Sequence, residues 1–280
     1  MRSTGAASRL FALLQQVLLL GTRVIAAVAN AGFLAVALAS LPSLVLPALL
    51  DRATSVILAG VTVACIVGVP AGTVLGQQFG WHATLWAVAA VTAGCALFPL
   101  RVGGSAGVGS VWPEWRSVRC FRLILVGVFV NAATFAGFTY LGVFASGFGD
   151  VWVPVALALF GLGSFVGVPA AGRGWIRFGP AVLALVWLAA LVASASPLGQ
   201  LVAAFVCGAC SFGVGATLIG AIVRTASGTA PRIAGALATT AFNVGAVAGP
   251  ALAGLAVGQA FLVSAGFAVA AAVVRRRGTW

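Results

Sequence analysis

The chain has 280 residues, of which 62% are hydrophobic and 6% charged, and its mean hydropathy is +1.18. Soluble domains carry about 25% charged residues, so this composition excludes a water-exposed globular surface and points to an integral membrane protein. The net charge of +12 comes from arginines set in small groups between apolar runs rather than along one face, which excludes a nucleic-acid partner.

Apolar runs near 20 residues, long enough to cross a bilayer core of about 30 Å, predict nine membrane segments. In chain order they are 17–40, 54–76, 81–100, 121–146, 152–171, 179–195, 199–223, 233–257 and 259–274. The first is the least clean: Arg23 is the only charge between Leu10 and Leu50, and that run holds one long crossing or two short ones. An ionisable residue inside a segment is a functional candidate, because burying it in hydrocarbon costs several kcal/mol unless it faces a cavity or a partner. The alternative for Arg23 is a side chain that snorkels to the outer boundary.

The second segment carries Gly68, Gly72 and Gly76 at four-residue spacing on one face, with Pro70 among them. In lipid, small residues let helix backbones approach closely, and Pro70 predicts a bend where neighbours can satisfy the freed carbonyl. The apolar run then breaks at "GQQFGWH", Gly76–His82, which reads as an outer loop. After the third segment comes the connector "RVGGSAGVGSVWPEWRSVR", Arg101–Arg119. It divides the chain into a partial N-terminal helix bundle over 1–100, a cytoplasmic linker over 101–119 and a six-helix C-terminal bundle over 120–280.

The fourth segment brings Asn131, Thr134, Phe135, Thr139 and Tyr140, and the eighth brings Thr239, Thr240 and Asn243. Polar groups in apolar helices either line a cavity or hydrogen-bond between helices, and both readings stay open for each. The seventh contains Cys207-Gly-Ala-Cys210, which has no metal-ligand partners at suitable spacing and reads, like Cys65, Cys95 and Cys120, as packing. In the eighth, "FNVGAVAGPALAG" repeats the glycine–proline pattern with Gly245, Gly249 and Pro250. Matching bent helices in two halves point to the moving interface of a transporter built from parallel repeats.

The basic residues set the orientation. Arg52, then Arg101, Arg116, Arg119 and Arg122, then Arg173 and Arg177, Arg224 and Arg232, and Arg275–Arg277 fall in every second loop and at the carboxyl end. The alternate loops have no Lys or Arg, so the charged loops and the C-terminus are expected in the cytoplasm. Trp81, Trp86 and Trp152 fall near the outer boundary and Trp112, Trp115 and Trp175 near the inner one, as interface anchors. Nine crossings place Met1 outside with Arg2 and Arg9, against the same rule.

Several blocks carry a resemblance. "TRVIAAVANAGFLAVAL", "DRATSVILAGVTVACIVGVPAGTVLGQQFGWHATLWAV", "NAATFAGFTYLGVF", "WVPVALALFGLGSFVGVPAAGR" and "TTAFNVGAVAGPALAG" resemble the drug:proton antiporters of the major facilitator superfamily, in the group of actinobacterial chloramphenicol-resistance exporters. The resemblance implies an all-α, polytopic fold of two six-helix halves in a bacterial plasma membrane. It also implies alternating access driven by protons, with no cofactor, no metal and no enzymatic step. The nine segments match the fourth to twelfth helices of that family, so the first three are expected to be absent, which removes the conflict at the amino end.

The resemblance assigns Gly68, Pro70, Gly72 and Gly76 to the antiporter motif, with Gly249 and Pro250 as the matching helix of the second half. It assigns Arg23 to proton coupling, and places Asn131, Thr134, Phe135, Tyr140, Thr239 and Asn243 on helices that line the substrate cavity. The expected partners are a small hydrophobic drug, protons and the lipid bilayer. Three departures stand out. Asp51, Glu114 and Asp150 lie in loops, so no buried acid is available to carry a proton, and His82 reads as interfacial. "AAGRGWIRFGP" keeps Arg173 and Arg177 but lacks the acidic residue of the family's cytoplasmic gating motif. "SLPSLVLPALLDRATS" is more apolar than the family's short polar loop there. Two other readings therefore remain beside export of a chloramphenicol-like antibiotic: a truncated, transport-incompetent piece of such an exporter, and a membrane scaffold subunit.

Overall fold

The structure is a computed structural model that describes residues 63–97, 120–173, 179–227, 230 and 233–276, with scattered positions between 15 and 60. The linker expected over 101–119 and most of the first expected segment lie outside the described residues. Among the described residues every regular element is helical. A π-helical turn, Ala64–Gly68, leads into α1 (Val69–Phe79), which is followed by α2 (Trp81–Leu97). Then come α3 (Phe121–Ser146), α4 (Trp152–Gly172), α5 (Pro180–Ala193), α6 (Pro197–Ser227) and α7 (Ala234–Ala253). A 3-10 stretch, Gly254–Gln259, joins α7 to α8 (Ala260–Arg276).

By length and composition, four helical stretches among the described residues can cross a membrane: Phe121–Ser146, Trp152–Gly172, Pro197–Ala226 and Ala234–Arg276. The last runs through the 3-10 turn and holds two of the expected segments. The chain is an all-α, polytopic membrane protein. Helix α5 has 14 residues, about 21 Å of rise, and falls short of a full crossing. Pro180 at its first turn supplies the fixed φ that a helix start favours.

Two expected loops are shorter than the sequence suggests. Helix α1 continues through Gln77 and Gln78 to Phe79, and Gly80 alone turns the chain before α2 starts at Trp81. Its φ of 80° is left-handed backbone that glycine adopts without a Cβ clash. The loop expected between the eighth and ninth segments is likewise taken up by the 3-10 turn Gly254–Gln259, with its break at Ala256 (φ −147°, ψ 65°).

Packing follows the rules of lipid rather than water. Large apolar side chains point outward: Phe121, Phe165, Leu185, Val192, Leu198 and Val247 are each more than half exposed on the protein surface. Small residues fill much of the interior, including Ala132, Ala133, Ala136, Ala145, Ala156, Ala204 and Ala268. Without a hydrophobic drive between helices, close backbone approach supplies the attraction. The closest approach joins α4 to α6. A Cβ built at Gly163 would overlap the Phe205 carbonyl, one at Gly167 the Ala209 carbonyl, and one at Gly208 the Phe160 carbonyl. A second such pair joins α3 to α7, where Gly245 lies on the Val128 carbonyl and Gly249 on the Ala132 carbonyl. Helix α8 closes the bundle against α3 and α5, with Phe261 stacked on Phe144 (centroids 4.3 Å) and tilted against the buried Trp187 (5.6 Å).

Candidate functional site

Arg23 lies outside the described residues. Pro70 sits in the first turn of α1, directly after the π-helical turn. Proline removes an N–H and clashes with the carbonyl four residues before it, and the wider π turn opens the backbone ladder at that point. Gly72 and Gly76 face α2: a Cβ at each would stand 3.3 Å and 3.4 Å from Thr84 Cγ2 and Oγ1. The Thr84 hydroxyl donates to the Gly72 carbonyl at 3.0 Å, while Gly68 faces open space. Contact with the core formed by the later helices comes from other residues of α1. Val69 packs against its core, and Gln77 Nε2 donates to the Asp150 carbonyl at 3.1 Å.

In the second glycine–proline helix, Gly245 and Gly249 lie against α3. Both glycine faces thus meet the neighbouring helices α2 and α3. Pro250 lies inside α7, one turn before the chain tightens into the 3-10 stretch. The Tyr140 hydroxyl donates to the Pro250 carbonyl at 3.2 Å, beside Gly254, where a Cβ would stand 2.7 Å from it. Asn131, also on α3, donates from Nδ2 to the Phe242 carbonyl at 2.5 Å. Two of the residues expected to line the substrate cavity therefore fasten α3 to α7.

Thr134 and Phe135 lie together elsewhere. With Phe138 they form the α3 wall of a narrow cleft, closed by Phe160, Gly161 and Ser164 of α4 and by Phe212 of α6. Its volume of about 10 Å³ matches roughly one water-sized sphere. The rings form a connected set: Phe135 to Phe138 at 6.1 Å and 82°, Phe138 to Phe160 at 4.8 Å and 33°, and Phe160 to Phe212 at 6.0 Å and 78°. The Thr134 hydroxyl donates to the Val130 carbonyl at 2.9 Å, and that of Ser164 to the Gly161 carbonyl at 2.6 Å. Thr239 is half-buried and donates to the Gly235 carbonyl of its own helix at 3.0 Å. Asn243 and Thr240 are exposed on α7, away from the cleft.

Phe138, Phe160, Ser164 and Phe212 were not marked by the sequence. A phenylalanine in an apolar helix carries no signal that separates a cleft wall from a lipid-facing ring. Ser164 alone gives a hint, as a polar residue four positions after Phe160 on the same helical face. His82 stacks on Trp81 at 3.5 Å between centroids. Cys120, at the cap of α3, is buried, and that burial pushes its thiol up.

Comparison with known proteins adds to this geometry. Residues 3–232 match the family model described as Major Facilitator Superfamily. Over 261 residues the chain is 42% identical to a chloramphenicol resistance protein of Streptomyces lividans, covering 86% of this chain and 66% of that protein. Over 162 residues it is 32% identical to the purine ribonucleoside efflux pump NepI of Escherichia coli O6:K15:H31, covering 54% of this chain and 40% of the pump. The chain thus spans less than two thirds of the length of these relatives.

Proposed function

We propose that this chain, which belongs to the Major Facilitator Superfamily, exports a small hydrophobic antibiotic of the chloramphenicol type in exchange for protons. The observation that carries this reading is the 42% identity to a chloramphenicol resistance protein across 86% of the chain. An uncharged, aromatic cleft flanked by hydroxyls supports it, because drug sites are mainly apolar with a few placed polar groups.

The cycle is alternating access, with two halves rocking about a site near the middle of the membrane. Drug leaves lipid or cytoplasm and is received by Thr134 and Phe135 in the cleft of α3, while Asn243 and Thr239 on α7 meet it at a separate position along its path. Asn131 and Tyr140 keep α3 and α7 moving as one body. The breaks beside Pro70 and Pro250 supply the bends about which α1 and α7 yield. Arg23 tunes proton coupling. The protein resides in the bacterial plasma membrane with its C-terminus in the cytoplasm, a reading supported by the alternation of arginine-bearing loops.

The test is accumulation of labelled chloramphenicol in susceptible cells making the chain, with and without a protonophore, once membrane expression is confirmed. The expected result is low accumulation that a protonophore restores to the level of control cells. Accumulation equal to that of control cells at full expression overturns the proposal, and low accumulation indifferent to the protonophore overturns its proton coupling.

A further inference from the structure

We infer that the cleft between α3, α4 and α6 is a ring-binding subsite that takes one uncharged, planar aromatic ring carrying a hydrogen-bond donor. The inference rests on the export reading for its use in transport, while its binding chemistry is read from the cleft itself.

Mechanics come first. Helices α4 and α6 meet backbone to backbone at Gly163, Gly167 and Gly208, and α3 and α7 do so at Gly245 and Gly249. Around the cleft the contact between α3, α4 and α6 is made by rings, Phe135 and Phe138 on one side and Phe160 and Phe212 on the other, while elsewhere Gln200 of α6 donates to the Leu141 carbonyl of α3 at 3.5 Å. Phe160 is 3% exposed and forms the floor, and Phe138 and Phe212 are half-buried. In the inferred subsite the two half-buried rings turn aside and open a slot of one ring's thickness. Its floor is a ring face and its neighbours present ring edges, the arrangement that aromatic quadrupoles favour.

The chemistry of the guest follows from the rim. Among the described residues no charged side chain lines the cleft, so an ionic guest would be desolvated without a partner. Both hydroxyl protons are already donated, from Thr134 to Val130 and from Ser164 to Gly161. Each oxygen therefore presents only lone pairs, which accept from an N–H or O–H of the guest.

The test uses 4-fluorobenzyl alcohol as the probe and fluorine NMR of the purified full chain in detergent, with empty micelles as the baseline. The expected result is saturable binding that Phe212→Leu and Phe138→Leu each weaken by about tenfold, the scale of one lost aromatic pair. Ser164→Ala weakens it by about fivefold through the lost acceptor. Phe165→Leu, on the same helix but facing outward, leaves it unchanged. The saturated-ring analogue, 4-fluorocyclohexylmethanol, does not compete. Equal binding in wild type, Phe212→Leu and Phe138→Leu overturns the subsite, as does competition by the saturated ring. Chloramphenicol accumulation measured on the same variants separates the two proposals. Phe212-dependent probe binding in a chain that exports nothing overturns export alone. Export unchanged by Phe212→Leu and Ser164→Ala, beside variant-insensitive probe binding, overturns the subsite alone.

Discussion

Asn131 shows how little a side chain's polarity says about its duty. Its amide is buried on α3, and a carbonyl of α7 happens to lie opposite, so it donates to Phe242 rather than to a cavity. The same holds for Tyr140 and Pro250. Interhelical hydrogen bonds of this kind contribute about 0.6 kcal/mol on average and up to about 1.7 in membranes. Asn131→Leu keeps the volume and removes the bond, so thermal unfolding in detergent should show a loss within that range while drug affinity stays unchanged. A large fall in drug affinity with unchanged stability would return Asn131 to the cavity wall. The sequence exposes such residues as polar letters in apolar text. It does not reveal which carbonyl stands across from them, because that depends on the rotation and height of a helix more than a hundred residues away.

At the level of helices, much was legible. Segments 121–146 and 152–171 agree with α3 and α4 almost to the residue, since charge or turn residues bound each run sharply. Gln77 and Gln78 have the polarity of a loop, yet both sit on the last turn of α1 and Gly80 alone makes the reversal. The glycine spacings announced close crossings but not the partner. Gly72 meets the flexible Thr84 side chain, whereas Gly208 meets main chain at Phe160. Gly208→Ala should therefore cost about 1–3 kcal/mol of stability as an overpacked contact, and Gly72→Ala clearly less. Equal losses in a thermal-shift comparison would mean that α4 and α6 can separate as easily as Thr84 can turn.

For the whole molecule, the alternation of arginines is the strongest topological statement in the chain. The ends of α6 and α8 carry Arg224 and Arg275–Arg276, which predicts a cytoplasmic carboxyl end. A fluorescent protein fused after Trp280 should mature and glow, and an alkaline phosphatase fused there should be inactive; the reverse pattern would invert every crossing. The pairing of α4 with α6 also constrains how the protein is made. At about 5–20 residues per second, Gly208 leaves the ribosome some seconds after Gly163. Throughout that interval α4 stands in the bilayer with a bare glycine stripe and no proper mate, while the short α5 emerges between them. Biosynthesis thus passes through a waiting stage in which the stripe is open to any small-residue helix nearby, and the speed of translation across α5 and early α6 becomes a determinant of yield.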